Sequence, residues 1–104
     1  MIFAVLFEDT PGQANEVRRQ YMPAHLDFLE RNATAIKAAG PLRDDGDAPA
    51  GGLWLVEATD REQVDHLVRE DPFWPTGLRR SVRVLAWHQV FAEGIRRGAQ
   101  GSPP

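Results

Sequence analysis

The sequence predicts a single α+β domain in the order β-α-β-β-α-β, and three observations predict it. Apolar runs at residues 2–7, 53–58 and about 82–91 read as strands, each bounded by residues that interrupt regular structure. Two intervening stretches carry apolar residues at helical spacing. A chain of 104 residues has room for one domain, and a chain of that size hides roughly 60–70% of its unfolded surface on folding.

The elements follow in order. Ile2 to Phe7 is a short run of β-branched and aromatic residues, fitting a buried strand, and Thr10-Pro11-Gly12 breaks it. From about Ala14 to Asn32, Val17, Tyr21, Leu26 and Leu29 recur at spacings of three to five, which predicts a helix. Pro23 lies inside it and crowds the carbonyl four residues earlier, so a kink or two abutting helical pieces are expected. Thr34 to Ala39 is a weaker second strand, ended by Gly40-Pro41-Leu42, and the polar stretch from Arg43 to Gly52 reads as a loop. Residues 53–58 make the third strand. Thr59 and Glu62 fit a capping box for a second helix with Val64, Leu67 and Val68 on its apolar face. Pro72 stops that helix, because the residue before a proline is pushed out of the helical region. A loop through Gly77 leads to the last strand at about 82–91. The domain is therefore expected over residues 1–92, with a frayed tail over 93–104.

This order is the ferredoxin-like arrangement, two helices on one face of a four-stranded antiparallel sheet. A sheet with one face in water alternates apolar and polar residues, whereas these strands are apolar throughout. Two helices cover one face only, and the sheet of a second copy is the simplest cover for the other. A homodimer is expected, with Val84 as a candidate interface residue.

Composition removes several classes of function. With 42% apolar and 26% charged residues the chain is of ordinary globular type. A net charge of −3 argues against a nucleic-acid partner, and the cluster Arg79, Arg80 and Arg83 reads as a solvated strand end. There is no cysteine, which excludes disulfides, thiolate catalysis and sulfur-ligated metals. The apolar N-terminus has no basic flank and meets Glu8 and Asp9 at once, so neither a signal peptide nor a membrane partner is expected, and a cytoplasmic location follows. The three histidines, His25, His66 and His88, have no metal-type spacing, Gly51-Gly52 is a turn, and no cofactor is expected.

Two residues remain that could carry chemistry. Val64, Val68 and Asp71 fall at i, i+4 and i+7, which puts a carboxylate on the inward face of a helix, in its last turn, where the helix dipole opposes negative charge. Such a group needs a partner: backbone N–H groups of the next loop, or a functional one. Tyr21, His25 and Phe28 share the packed side of the first helix, so His25 is the natural partner. It is either a hydrogen-bonded core histidine or a base held in one tautomer by Asp71. Phe73 and Trp74, directly after Asp71, are better candidates for a pocket rim than Trp54.

His25-Leu26, Ala39-Gly40-Pro41-Leu42 and Asp71-Pro72-Phe73 together resemble the YCII family, over approximately residues 1–91. The resemblance implies a dimeric ferredoxin-like α+β barrel with a pocket near a His–Asp pair. At least one branch of that family includes a dehydrochlorinase acting on chlorinated hydroxyhydroquinone. On it, His25 and Asp71 are the expected catalytic residues, and Pro72 and Phe73 shape the pocket or its loop. The adjoining Trp74 is a further substrate-binding candidate, although Trp74-Pro75 and the loop at 44–52 stand outside the pattern. The function expected is a cofactor-independent isomerase, lyase or dehydrochlorinase acting on a small aromatic or enol-like molecule. A non-catalytic ligand-binding or interaction dimer is the alternative, and a barrel-type monooxygenase a third.

Overall fold

The computed structural model describes residues 1–12 and 14–97. The main elements are β1 (Ile2–Asp9), α1 (Ala14–Arg31), β2 (Ile36–Arg43), β3 (Pro49–Glu57), α2 (Arg61–Glu70) and β4 (Arg79–Ala86), with a 3-10 turn at Trp74–Thr76. The sheet runs β2-β3-β1-β4 with every neighbouring pair antiparallel. This is the ferredoxin-like order. Phe3, Val5 and Phe7 of β1, Trp54 and Val56 of β3, and Val84 of β4 form one core with Phe28 of α1 and Val64 and Val68 of α2. Both helices therefore lie on one face. Ala4, Leu6, Leu53, Leu55 and Leu85 alternate with these residues and point to the other face. Val84 is thus a core residue, and Leu85 takes the position on the uncovered face.

Several boundaries differ from those expected, each for an identifiable reason. Gly40-Pro41-Leu42 does not end β2 but lies within it: β2 is an edge strand, where a proline's missing N–H breaks no ladder bond. Gly51-Gly52 is strand rather than turn, so the loop shrinks to residues 44–48. At Gly51 φ is +112°, and a Cβ there would lie 1.9 Å from the Phe7 carbonyl oxygen. No side chain fits. Pro23 is carried inside one helix, not between two pieces. The cap of α2 sits one residue later than expected: Asp60 accepts from the Gln63 N–H at 3.0 Å, and the Gln63 side chain accepts from the Thr59 N–H at 2.9 Å. The last strand begins at Arg79 and ends at Ala86.

Beyond it, in place of a frayed start to the tail, β5 (Phe91–Ala92) pairs with β6 (Ile95–Arg96). The turn between them has positive φ at both Glu93 (55°) and Gly94 (78°), the twist that suits a two-residue hairpin. The rest of the expected tail, residues 98–104, lies outside the described residues. Among the described residues no helix is long and apolar enough to cross a membrane.

Candidate active site

Asp71 organises the site, and its position follows from the proline behind it. Pro72 holds Asp71 in an extended conformation (φ −65°, ψ 132°), so α2 ends at Glu70 and the carboxylate turns in under the sheet's helical face. There it is 1% exposed. One oxygen, Oδ1, accepts from the Phe73 N–H at 3.1 Å and faces His25 Nδ1 at 2.8 Å. The other, Oδ2, lies 2.6 Å from Arg79 Nη1, an ion contact that is not aligned as a hydrogen bond. The loop acceptor role and the histidine partnership, alternatives in the sequence, occur together on one oxygen.

Arg79 is not the solvated strand end that the sequence suggests. Its side chain is 6% exposed, with the guanidinium 3.9 Å from the centroid of the Phe7 ring, 5.2 Å from Trp54 and 5.5 Å from Phe73. The cause is a bulge. Phe7 pairs with Val82 and Glu8 with Ser81, but Asp9 pairs with Arg79, so the register shifts and the alternation flips. Arg79 turns inward, while Arg80 goes to solvent beside Glu8 at 3.3 Å.

Burial alone would raise the Asp71 carboxyl. The His25 hydrogen bond, the Arg79 charge and the Phe73 N–H outweigh it and hold it below its ordinary value. Burial draws the Arg79 guanidinium down, with Asp71 opposing. An arginine remains charged through such a change.

His25 packs against Phe73, ring centroids 4.3 Å apart. It forms part of the wall of a cleft of ≈ 90 Å³ that opens to solvent. α1 supplies one side with Arg18, Met22, His25, Leu26 and Leu29, and Ala39, Gly40 and Pro41 of β2 face them. Phe7, Gly52 and Trp54 form the floor, and Phe73 and Arg79 complete the lining. Arg18 is anchored by a two-pronged contact to Asp9 (2.8 and 3.1 Å) and by the Gly51 carbonyl at 3.2 Å.

Of the residues singled out in the sequence, His25, Asp71 and Phe73 come together. Asp71 does not line the cleft but stands behind His25. Pro72 and Trp74 are not in the lining either, and Trp74 is 40% exposed. Sequence reasoning misses Arg79 and Arg18 as site residues, and it ranks Trp54, which lines the cleft, below Trp74, which does not. It also misses the second use of Ala39-Gly40-Pro41, which serves as a cleft wall. Among the described residues no group of three His, Cys, Asp or Glu side chains could hold a metal ion.

The family model of the YCII-related domain matches residues 1–88. The chain belongs to the YCII-related family. No curated protein matches this YCII-related chain significantly. Among solved structures it is similar to the 5-chloro-2-hydroxyhydroquinone dehydrochlorinase TftG from Burkholderia phenoliruptrix AC1100, determined in complex with 2,5-dihydroxybenzoquinone. That likeness has a TM-score of 0.73 at 30% identity and covers 84% of this chain and 93% of that one. An uncharacterised NIPSNAP domain protein from Burkholderia xenovorans matches at TM-score 0.51 and 14% identity, over 88% of this chain and 96% of that one. At that identity the likeness is one of fold alone.

Proposed function

We propose that this YCII-related protein is a cofactor-independent enzyme that acts on a small aromatic or enol-like molecule through acid–base chemistry at His25. The observation that carries the reading is the His25–Asp71 contact of 2.8 Å placed directly behind the wall of a solvent-open cleft. The 30% identity to a dehydrochlorinase supports the reaction class. If Nδ1–H is donated to Asp71, Nε2 is left as the base, and Asp71 acts through the histidine rather than on substrate.

On a chlorinated hydroquinone this base serves two proton transfers. It first takes a hydroxyl proton and returns it to the ring carbon bearing chlorine, which makes that carbon tetrahedral. Loss of a second hydroxyl proton then sends its electron pair through the ring, and chloride leaves with the C–Cl pair. The sum is loss of HCl, and the two electrons the ring gives up depart on chloride, so the balance needs no outside oxidant. Replacing His25 by Asn is expected to lower kcat for chloride release from a chlorinated hydroxyhydroquinone by about 10²–10⁴-fold. The circular dichroism spectrum should stay unchanged. Chloride release at the wild-type rate would sink the reading.

A second reading is favoured by one observation: Asp71 is met by three groups of its own fold, so its burial is accounted for without any substrate. On that reading the cleft binds a small ligand without turnover, and the wild-type protein releases no chloride. For either reading we propose a homodimer, supported by the apolar face of the sheet that neither helix covers.

A further inference from the structure

Every ionisable side chain that lines the cleft is basic: Arg18, His25 and Arg79. The two carboxylates of the neighbourhood are drawn away behind these residues. Asp9 is held by Arg18 and Asp71 by His25 and Arg79, and neither enters the lining. The remaining lining is aromatic and aliphatic, with the Phe7, Trp54 and Phe73 rings around Arg79. The acidic partners fix the guanidinium groups without occupying the space in front of them. A planar ring meets flat apolar walls there, and a negative charge on that ring meets fixed N–H donors in a site partly screened from water. The protein as a whole carries a net charge of −3, so its overall field repels anions and any preference for one must be local.

From this arrangement we infer that the cleft takes its ligand as a planar organic anion, a phenolate or enolate, with the ionised oxygen at Arg79. This inference rests on the cleft being the reaction site and adds the ionic form of the substrate. It gives Arg79 a role apart from that of His25: the arginine holds the oxygen that is already ionised, and His25 Nε2 faces the group that still has a proton to lose. Asp71 fixes the two relative to each other, because its two oxygens address one each.

The test uses 4-nitrophenol, which ionises near neutrality with a visible change in absorbance. Its titration is followed with and without excess full-length wild-type protein. A cleft selective for the anion shifts the bound probe's ionisation to lower pH by at least one unit, a tenfold preference for phenolate. Arg79→Gln should abolish the shift and Arg79→Lys, which keeps the charge, should retain most of it. The wild-type titration decides the matter even if a variant fails to fold. Equal binding of both forms, tighter binding of the neutral phenol, or no binding of either overturns the inference. Chloride release reports separately on the reaction. Turnover without anion preference overturns this inference and leaves the acid–base reading intact, whereas anion preference without turnover upholds it and removes the reaction.

Discussion

Asp71 shows how much one side chain can settle and how much of that a sequence conceals. Its spacing from Val64 and Val68 makes it inward-facing, and its proximity to Pro72 ends the helix, so a buried carboxylate in need of partners is legible from residue order. His25 is legible by the same helical arithmetic. Arg79 is not, because its inward direction depends on a one-residue bulge opposite Asp9, and such a slip reverses every side chain beyond it. The carboxylate holds its charge below the ordinary Asp pKa in the folded state. The unfolded chain therefore binds the proton first as pH falls. The stability Asp71 contributes is complete above an unfolded pKa of about 3.9 and is lost as pH drops through the lower folded value. Urea midpoints of the wild type should fall across that acid window, and Asp71→Asn should lack this component; parallel profiles would show that the carboxylate is not responsible. Asp71→Ala should cost about 3–5 kcal/mol, because it leaves the Arg79 charge buried without its partner.

At the scale of elements, periodicity identifies each strand and helix, and what it misplaces are ends. β2 runs on through Gly40 and Pro41 because it is an edge strand, and edge position is a property of the sheet rather than of the segment. Gly51 and Gly52 look alike in sequence and have different work in β3. At Gly51 the Phe7 carbonyl occupies the place of a side chain, whereas a Cβ at Gly52 meets nothing nearer than 3.5 Å. Gly51→Ala should destabilise the fold by about 2–4 kcal/mol, combining a disfavoured φ with a main-chain clash. Gly52→Ala should leave the thermal midpoint nearly unchanged and narrow the cleft instead, so that ligand affinity falls while the fold persists. Equal midpoints for the two variants would count against this account of β3.

For the molecule as a whole, the architecture is legible in the apolar strands and the two helical stretches, and so is the need to cover a second sheet face. The register is not, which is why Val84 rather than Leu85 looks like the interface residue in sequence. Leu85 is 39% exposed and lies opposite Ala4, on the face away from the helices. With sheet packing between two copies, Leu85→Asp should convert a dimer to a folded monomer by light scattering at micromolar concentration. A wild-type mass of one chain would end the dimer proposal.

The His25–Asp71 contact also says something about the order in which the molecule is made. Its partners are 46 residues apart in sequence. The arginine that completes the cluster follows from a strand that closes the sheet. Asp71 and Arg79 are neighbours in the chain, but His25 reaches them only across the fold, so loop-closure entropy opposes the complete cluster until both helices have docked on the sheet. During synthesis α1 emerges before Asp71 does, so His25 lacks its carboxylate partner until α2 and the loop behind it have been added. The cluster of His25, Asp71 and Arg79 would then be among the last native features to appear, since Arg79 arrives only with the fourth strand.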